Sequence, residues 1–156
     1  MITNRSAALG PVAPTLVYVN VGKAINWLCE TFGFTEKLRY GPENHPDGAQ
    51  LIIGEGSVSL TSARVGQSAD WDDRAELRPP RPNEVSHLVS VRVADVDRHY
   101  EQVRSRGARI LHPPETYPFG ERQYTAEDLE GHRWSFSQSV ADVAPEAWGG
   151  IPAKAR

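Results

Sequence analysis

The stretch VRVADVDRHYEQVRSRGARI, residues 91–110, decides the fold because it contains a strand, a helix and the beginning of a second strand. Valines alternate with other residues before Asp95, which is typical of a strand, and Asp95 is a residue type that opens helices. Gly107 supplies the stop expected at the C-terminal end of a helix. The pattern predicts a strand at residues 86–93, a helix at residues 96–106 and a strand at residues 109–112.

An earlier stretch of the chain repeats this plan. Residues 19–34, VNVGKAINWLCETFGF, show apolar residues at helical spacing from Val21 onward and reach a helix stop at Gly33. Equivalent positions of the two stretches are separated by 75 residues (92 minus 17), as in the pairs Val17/Arg92, Asn20/Asp95, Ile25/Tyr100 and Leu28/Val103. A constant separation of this kind indicates an internal repeat.

Strand composition and turn residues complete each copy as a βαβββ unit. Further strands are predicted at residues 15–20, 35–40, 49–53 and 57–62 in the first copy and at residues 122–127 and 132–138 in the second. A sheet with one helix has one covered face and cannot bury the other face alone. The predicted fold is therefore α+β, with two tandem βαβββ modules whose curved mixed sheets surround a shared cavity.

The chain is expected to divide into a series of consecutive segments. An N-terminal segment, residues 1–14, precedes the first module, residues 15–62, and a linker, residues 63–83, leads to the second module, residues 84–138. A tail follows at residues 139–156. Because the linker is rich in proline and lacks hydrophobic periodicity, we expect it to act as a lid over the cavity.

Composition restricts the classes of partner. The 156 residues include 17 Lys and Arg against 20 Asp and Glu, a net charge of −3, which is not the basic surface expected for nucleic acid or an anionic membrane. No apolar run is long enough to span a membrane, and no secretory signal precedes the first module. The single cysteine, Cys29, excludes an internal disulfide. A cytoplasmic protein with a small-molecule partner is expected.

Three stretches together resemble the vicinal oxygen chelate superfamily, which includes glyoxalase I, fosfomycin- and bleomycin-resistance proteins and extradiol dioxygenases. They are residues 19–34, residues 91–110 and YTAEDLEGHRWSFSQ, residues 124–138. The ending DVAPEAWGG, residues 142–150, is similar to that of a glyoxalase-like bacterial subgroup. The resemblance covers nearly the whole chain and implies the paired-module fold and a homodimer, but it names no substrate.

The resemblance also implies where a metal would be held, from the first and last strands of each module by His, Gln or Glu. The corresponding positions here are Ala13 and Leu88 on the first strands and Leu60 and Ser135 on the last strands. Such side chains would leave a divalent ion without compensating ligands, so no metal cofactor is predicted. The alternative is a divalent metal bound through His87, which a one-residue bulge would turn to the other face.

The segment EDLEGH, residues 127–132, places Glu127, Asp128 and Glu130 near His132 and is the other candidate metal site. A hairpin turn is the preferred interpretation, with Asp128 bonding backbone amides and Gly131 at positive φ. In this interpretation His132 begins the next strand and bonds a backbone carbonyl.

Alternation along the strands selects the residues that would face the cavity. In residues 86–93, Val89 and Val91 are expected under the helix, whereas Ser90 and Arg92 point away from it. The predicted ligand-binding residues are Thr15, Val17, Ser90, Arg92, Arg122, Tyr124, Arg133 and Ser135, together with Trp71 of the linker. Trp71 is expected to stack on the ligand as a lid, and the alternative is that it packs on a partner subunit. Two roles of Arg92 remain open, an anchor for an anionic ligand or a structural ion pair.

These features predict a small-molecule binding protein without the usual metal ligands, which sequesters a metabolite or antibiotic that is anionic or aromatic. The alternative is an enzyme of the same superfamily, an isomerase, lyase or dioxygenase. Such an enzyme would use a metal at His87, or Arg92 as a preorganised charge that stabilises an enolate or oxyanion.

Overall fold

The computed structural model of the protein describes residues 2–63 and 77–154. By contacts the chain divides into two compact units, one comprising Met1–Ser86 with Asp128–His132 and the other His87–Glu127 with Arg133–Arg156. The described residues form two four-stranded sheets, one in each unit, and each sheet is accompanied by one α-helix. The predicted α+β fold with two βαβββ modules is confirmed.

The first sheet, sheet 1, contains β1 (Thr15–Tyr18), β2 (Thr35–Tyr40), β3 (Gly48–Ile53) and β4 (Gly56–Ser62) in the order β1-β4-β3-β2. Strand β1 is parallel to β4, and the other neighbours are antiparallel. Helix α1 (Val21–Trp27) begins after Asn20, whose side chain accepts from the amide of Lys23. A π-helical turn continues it to Phe32, and Gly33 ends it at a φ of 82°.

The second sheet, sheet 2, contains β5 (Val89–Arg92), β6 (Arg109–Thr116), β7 (Glu121–Glu127) and β8 (Arg133–Ser139) in the order β5-β8-β7-β6. Helix α2 (Val96–Ser105) begins after Asp95, whose side chain accepts from the amide of Arg98 at 2.9 Å. Gly107 has a φ of 81°, as its predicted role as a helix stop requires. Strand β6 extends beyond the predicted end at residue 112 through two prolines, which the edge of a sheet tolerates.

Each sheet has a helix-covered face and a helix-free face. In sheet 2, Val89 and Val91 lie on the helix-covered face beside Trp134 and Phe136, as the alternation predicts. The core of sheet 1 consists of the corresponding buried side chains of β1, β3 and β4, namely Leu16, Tyr18, Ala49, Leu51, Val58 and Leu60. None of the described helices has the length and apolar character needed to cross a membrane.

The repeat separation of 75 is not kept in the last strand of each module. Leu60 pairs with Leu16, and the equivalent pair in sheet 2 is Phe136 with Val91, so the separation there is 76 (136 minus 60). Leu60 therefore lies on the helix-covered face, and its predicted equivalence to Ser135 is wrong. The counterpart of Ser135 is Ser59, because one additional residue in the second module shifts the register by one position.

Candidate functional site

The turn Asp128–His132 is built as a hairpin turn, as predicted. One carboxylate oxygen of Asp128 accepts from the amides of Glu130 and His132, each at 3.0 Å, and Gly131 has a φ of 94°. The other carboxylate oxygen accepts a 2.7 Å hydrogen bond from the buried hydroxyl of Tyr18. Burial and the nearby negative charge of Asp128 raise the pKa of Tyr18 well above its ordinary value.

The other polar residues of this turn also contact the first strand of the chain. The Nε2 atom of His132 lies 2.7 Å from the carbonyl oxygen of Val17, so Nε2 carries the proton and donates, as predicted for a backbone partner. The carboxylate of Glu130 accepts from the amides of Val19 at 2.8 Å and Asn20 at 3.3 Å. These contacts hold the turn against the end of β1.

The helix-free face of sheet 2 presents polar side chains from β5, β7 and β8, and we call it the polar face. Its residues are Ser90, Arg92, Glu121, Gln123, Thr125, Glu127, Arg133, Ser135 and Ser137. The predicted ligand residues Ser90, Arg92, Arg133 and Ser135 all lie on this face. A sheet surface of this composition suits a polar or charged ligand better than an apolar one.

Arg92 has an intramolecular partner on the polar face. Its Nη2 atom is 3.0 Å from Oε1 of Glu121, and Oε2 of the same carboxylate accepts from the side chain of Gln123 at 2.7 Å. The Arg92 side chain is nevertheless 72% exposed. An exposed ion pair of this kind contributes little to stability. Because the Arg92 side chain is exposed, a ligand can reach its N–H donors.

Arg133 is less completely paired. Its Nε atom is 3.9 Å from Oε2 of Glu127, too far for a hydrogen bond, whereas Oε1 of Glu127 is 3.1 Å from Nη1 of Arg109. Within residues 2–63 and 77–154, the buried side-chain atoms without a hydrogen-bond partner are the Nε of Arg133 and the Oε1 of Gln50. Both residues lie on helix-free faces, Arg133 on sheet 2 and Gln50 on sheet 1.

Arg122 and Tyr124 do not lie on the polar face. The alternation of β7 directs both toward the helix-covered side, where Arg122 forms a bidentate ion pair with Asp97 at 2.9 to 3.1 Å. The Tyr124 hydroxyl is 2.6 Å from Nδ1 of His99, and burial raises the pKa of Tyr124. The prediction that these two residues face the cavity is wrong. The sequence does not show how β7 pairs with β8, and this pairing decides which side chains lie on which face.

The remaining predicted residues belong to unit 1 or to the linker. Thr15 and Val17 lie on the helix-free face of sheet 1, where Thr15 is exposed and Val17 is buried. Trp71 lies outside the residues that the structure describes. Gln50 is a residue of the same face that sequence reasoning missed, although its place on β3, two positions from Ile52, follows from the alternation.

The side chains at the family's metal positions do not fit a divalent ion. Ala13 and Leu88 are apolar, and the paired positions Thr15/Ser59 and Ser90/Ser135 offer neutral hydroxyls. Hydroxyls do not supply the negative charge or the imidazole nitrogen that such ions require. In the described part of the chain, no three His, Cys, Asp or Glu side chains are grouped to hold a metal, and His87 is exposed before β5 begins.

Comparisons with known proteins agree with this architecture. TioX from Micromonospora sp. ML1 is 30% identical with a TM-score of 0.67, over 82% of this chain and 97% of that one. A glyoxalase/bleomycin resistance protein/dioxygenase from Nocardioides is 18% identical with a TM-score of 0.65, over 97% of this chain and 93% of that one. A superfamily member from Sphaerobacter thermophilus DSM 20745 is 19% identical with a TM-score of 0.61, over 80% and 93%.

No curated protein gives a significant match to the sequence. The sequence model of a single family matches residues 9–136, which include both modules in full apart from the last three residues of β8. The chain belongs to the Glyoxalase/Bleomycin resistance protein/Dioxygenase superfamily.

Proposed function

We propose that the protein binds a small anionic molecule without a metal ion, and that the polar face of sheet 2 supplies the contacts. The observation that carries this proposal is the incompletely paired guanidinium of Arg133. A buried donor without an acceptor costs about 1–3 kcal/mol, and a bound carboxylate would remove that cost. The fold alone does not select this function, because the superfamily supports unrelated chemistries.

The charges around Arg133 favour an anion over a cation. The Glu127 carboxylate is shared between Arg109 and Arg133, and Glu121 is bonded by Arg92 and Gln123. Both acidic side chains are therefore already neutralised. The Arg133 side chain is 29% exposed, so an anion can reach its outer nitrogens and draw the guanidinium away from the position in which Nε is unpaired.

A direct test uses benzoate and benzamide, which share a ring and differ in charge, added to protein dialysed against a chelator. Backbone NMR signals of β5 and β8 should shift with benzoate and not with benzamide. Arg133→Gln should weaken benzoate binding about 10- to 100-fold, since a charge-assisted hydrogen bond contributes about 1.5–3 kcal/mol. Glu127→Gln should strengthen it, because the competing carboxylate is removed.

The matched control is Arg104→Gln, which removes an equally charged side chain from the exposed surface of α2, where it pairs with Glu101. Binding in this variant should equal that of the unmodified protein. Equal shifts with both probes, or benzoate affinity unchanged in Arg133→Gln, would exclude the proposed anion site. Turnover of a ligand that depends on added metal would favour the enzyme alternative instead.

A further inference from the structure

A cavity opens between the start of α1 and the loop that joins β2 to β3, and we call it the loop cavity. Its volume is about 300 Å³, at the lower end of the range for small-molecule sites. Polar side chains line it from three elements, Lys23 and Asn26 on α1, Arg39 on β2, and Asn44 and His45 in the loop. The cavity is thus formed within the first module.

The strand register places the loop cavity on the helix-covered side of sheet 1. Arg39 pairs with Ala49 of β3, and Ala49 pairs with Leu60 of β4, so the three side chains lie on one side of the sheet. Leu60 is on the helix-covered face. The cavity therefore lies on the opposite side of sheet 1 from its helix-free face.

The loop wall of the cavity, residues 41–47, is fixed by local contacts. The amide of Asp47 donates to the carbonyl of Tyr40 at 2.9 Å and closes the loop at its base. Pro46 is buried beside Gly22, where a Cβ would lie 3.6 Å from the proline Cδ. A wall that already has its shape reduces the entropy that a ligand must overcome on binding.

Two cationic side chains of the loop cavity have donors that a ligand can use. Within residues 2–63 and 77–154, the Lys23 ammonium has no hydrogen-bond or ion-pair partner. The Nε and Nη2 atoms of Arg39 donate to the two carboxylate oxygens of Glu36 at 2.6 and 2.7 Å, which leaves Nη1 unused by this pair. Both cationic residues are exposed, and the acidic residue of the lining is Glu43.

The arrangement of these donors favours a tetrahedral anion over a planar one. A carboxylate binds best to the edge of a guanidinium that presents two nitrogens, and Glu36 already occupies that edge of Arg39. The remaining donors are the Lys23 ammonium, Nη1 of Arg39 and the side-chain amides of Asn26 and Asn44, which come from separate elements. A phosphate group has oxygens in several directions and carries up to about two negative charges near neutral pH.

We propose that the loop cavity binds a small phosphorylated molecule through its phosphate group, with Lys23 and Arg39 as the charged contacts. Asn26 and Asn44 donate to the remaining phosphate oxygens, and the rest of the molecule lies against the wall at Pro46. This site goes beyond the function proposed for the polar face, because it uses other residues and another class of ligand.

The test uses the full chain at constant ionic strength, with glycerol 3-phosphate as the probe and glycerol as its uncharged counterpart. Backbone NMR signals of residues 20–26 and 41–47 should shift with glycerol 3-phosphate and not with glycerol. Lys23→Gln should weaken binding about fivefold, the upper value for an exposed ion pair. Glu43→Gln should strengthen binding, because a carboxylate that repels the phosphate is removed.

The matched control is Lys154→Gln, which removes an exposed ammonium from the tail and should leave the affinity unchanged. Melting temperatures establish that each variant is folded. Equal shifts with glycerol, or unchanged affinity in folded Lys23→Gln, would overturn the inference. Inorganic phosphate should bind more weakly than glycerol 3-phosphate, and equal affinity would make the free ion the ligand and overturn the assignment of an ester.

Two variants separate this site from the anion site proposed on the polar face. Arg133→Gln should leave the affinity for glycerol 3-phosphate unchanged, and Lys23→Gln should leave the affinity for benzoate unchanged. Loss of glycerol 3-phosphate binding in Arg133→Gln would place the phosphate on the polar face and disprove the loop cavity as its site. Failure of the benzoate experiments would leave these results unaffected.

Discussion

The hydroxyl of Tyr18 and the carboxylate of Asp128 form a 2.7 Å hydrogen bond between residues 110 positions apart in the chain. Both side chains are almost completely buried, at 0% and 6% exposure. The bond joins the end of the first strand to a turn near the end of the second module, and the same carboxylate organises that turn. The acidic cluster that suggests a metal site in the sequence is thus a structural contact in the fold.

Replacing Asp128 by alanine should destabilise the protein by about 2–4 kcal/mol, because the Tyr18 hydroxyl and the turn amides lose their acceptor in a buried place. Asp128→Asn should cost about 1–2 kcal/mol, since it keeps one oxygen for the turn. Urea unfolding measures both values. Asp142→Asn, at an exposed position of the tail, is the control and should be neutral. Equal effects of Asp128→Ala and Asp142→Asn would disprove the structural role.

Glu130 should act mainly on local order. Its two oxygens accept from the amides of Val19 and Asn20, which lie just before α1. Glu130→Ala should therefore accelerate hydrogen exchange at these two amides about tenfold or more, while global stability falls by about 1 kcal/mol. Exchange measured by NMR at each amide checks this. Unchanged exchange at both positions would show that the contact is not maintained in solution.

Alkaline pH should destabilise the protein through Tyr18 and Tyr124. Burial raises the pKa of both hydroxyls above the value of 10.0 expected in the unfolded chain, so the folded state retains protons that the unfolded state loses. Their contribution is fully present below about pH 10 and decreases as pH rises further, by about 1.4 kcal/mol per pH unit for each tyrosine.

This pH dependence is measured by urea unfolding between about pH 8 and about pH 11, a range that includes the ordinary tyrosine pKa. Tyr18→Phe and Tyr124→Phe should each reduce the slope above pH 10. Tyr40→Phe, at a residue that is 50% exposed, should leave it unchanged. A slope equal in all four proteins would mean that other groups govern the alkaline transition.

Metal should not be required for stability or binding. Protein produced with Mn, Fe, Ni and Zn available and purified without chelator should contain less than about 0.1 equivalent of any of them, because the family's ligand positions carry hydroxyl and apolar side chains. Mass spectrometry measures the content. His87→Ala should change neither content nor melting temperature. Near-stoichiometric metal that disappears in His87→Ala would instead establish the His87 alternative.

Local patterns predict most of the fold. Asn20 and Asp95 cap their helices, Gly33 and Gly107 end them at positive φ, and the alternation in β5 assigns its faces correctly. These features depend on neighbours within a few residues, which a sequence displays directly. The repeat predicts that the second module has the same order of elements as the first, and the two sheets do share one strand order.

Features that depend on residues far apart in the chain could not be predicted as well from the sequence. The separation of 75 assigns Leu60 as the counterpart of Ser135, whereas the strand pairing gives Ser59. A one-residue shift between the modules places the neighbouring residue, on the opposite face of the strand, at the equivalent position. Tyr124 was assigned to the wrong face because the sequence does not show that it pairs with Phe136 of β8, and this pairing puts it on the helix-covered side. The bond between Glu130 and the amides of Val19 and Asn20 depends on the tertiary fold and has no local sequence signal.

The turn Asp128–His132 belongs by its contacts to the first compact unit, although it lies far along the chain. During synthesis, the strand with Tyr18 leaves the ribosome long before the carboxylate that accepts its hydroxyl has been made. The first module must therefore remain incomplete until translation has passed His132, and its final structure forms late. A chaperone or protease in the cell would encounter the nascent first half with the buried partner of Asp128 still uncovered.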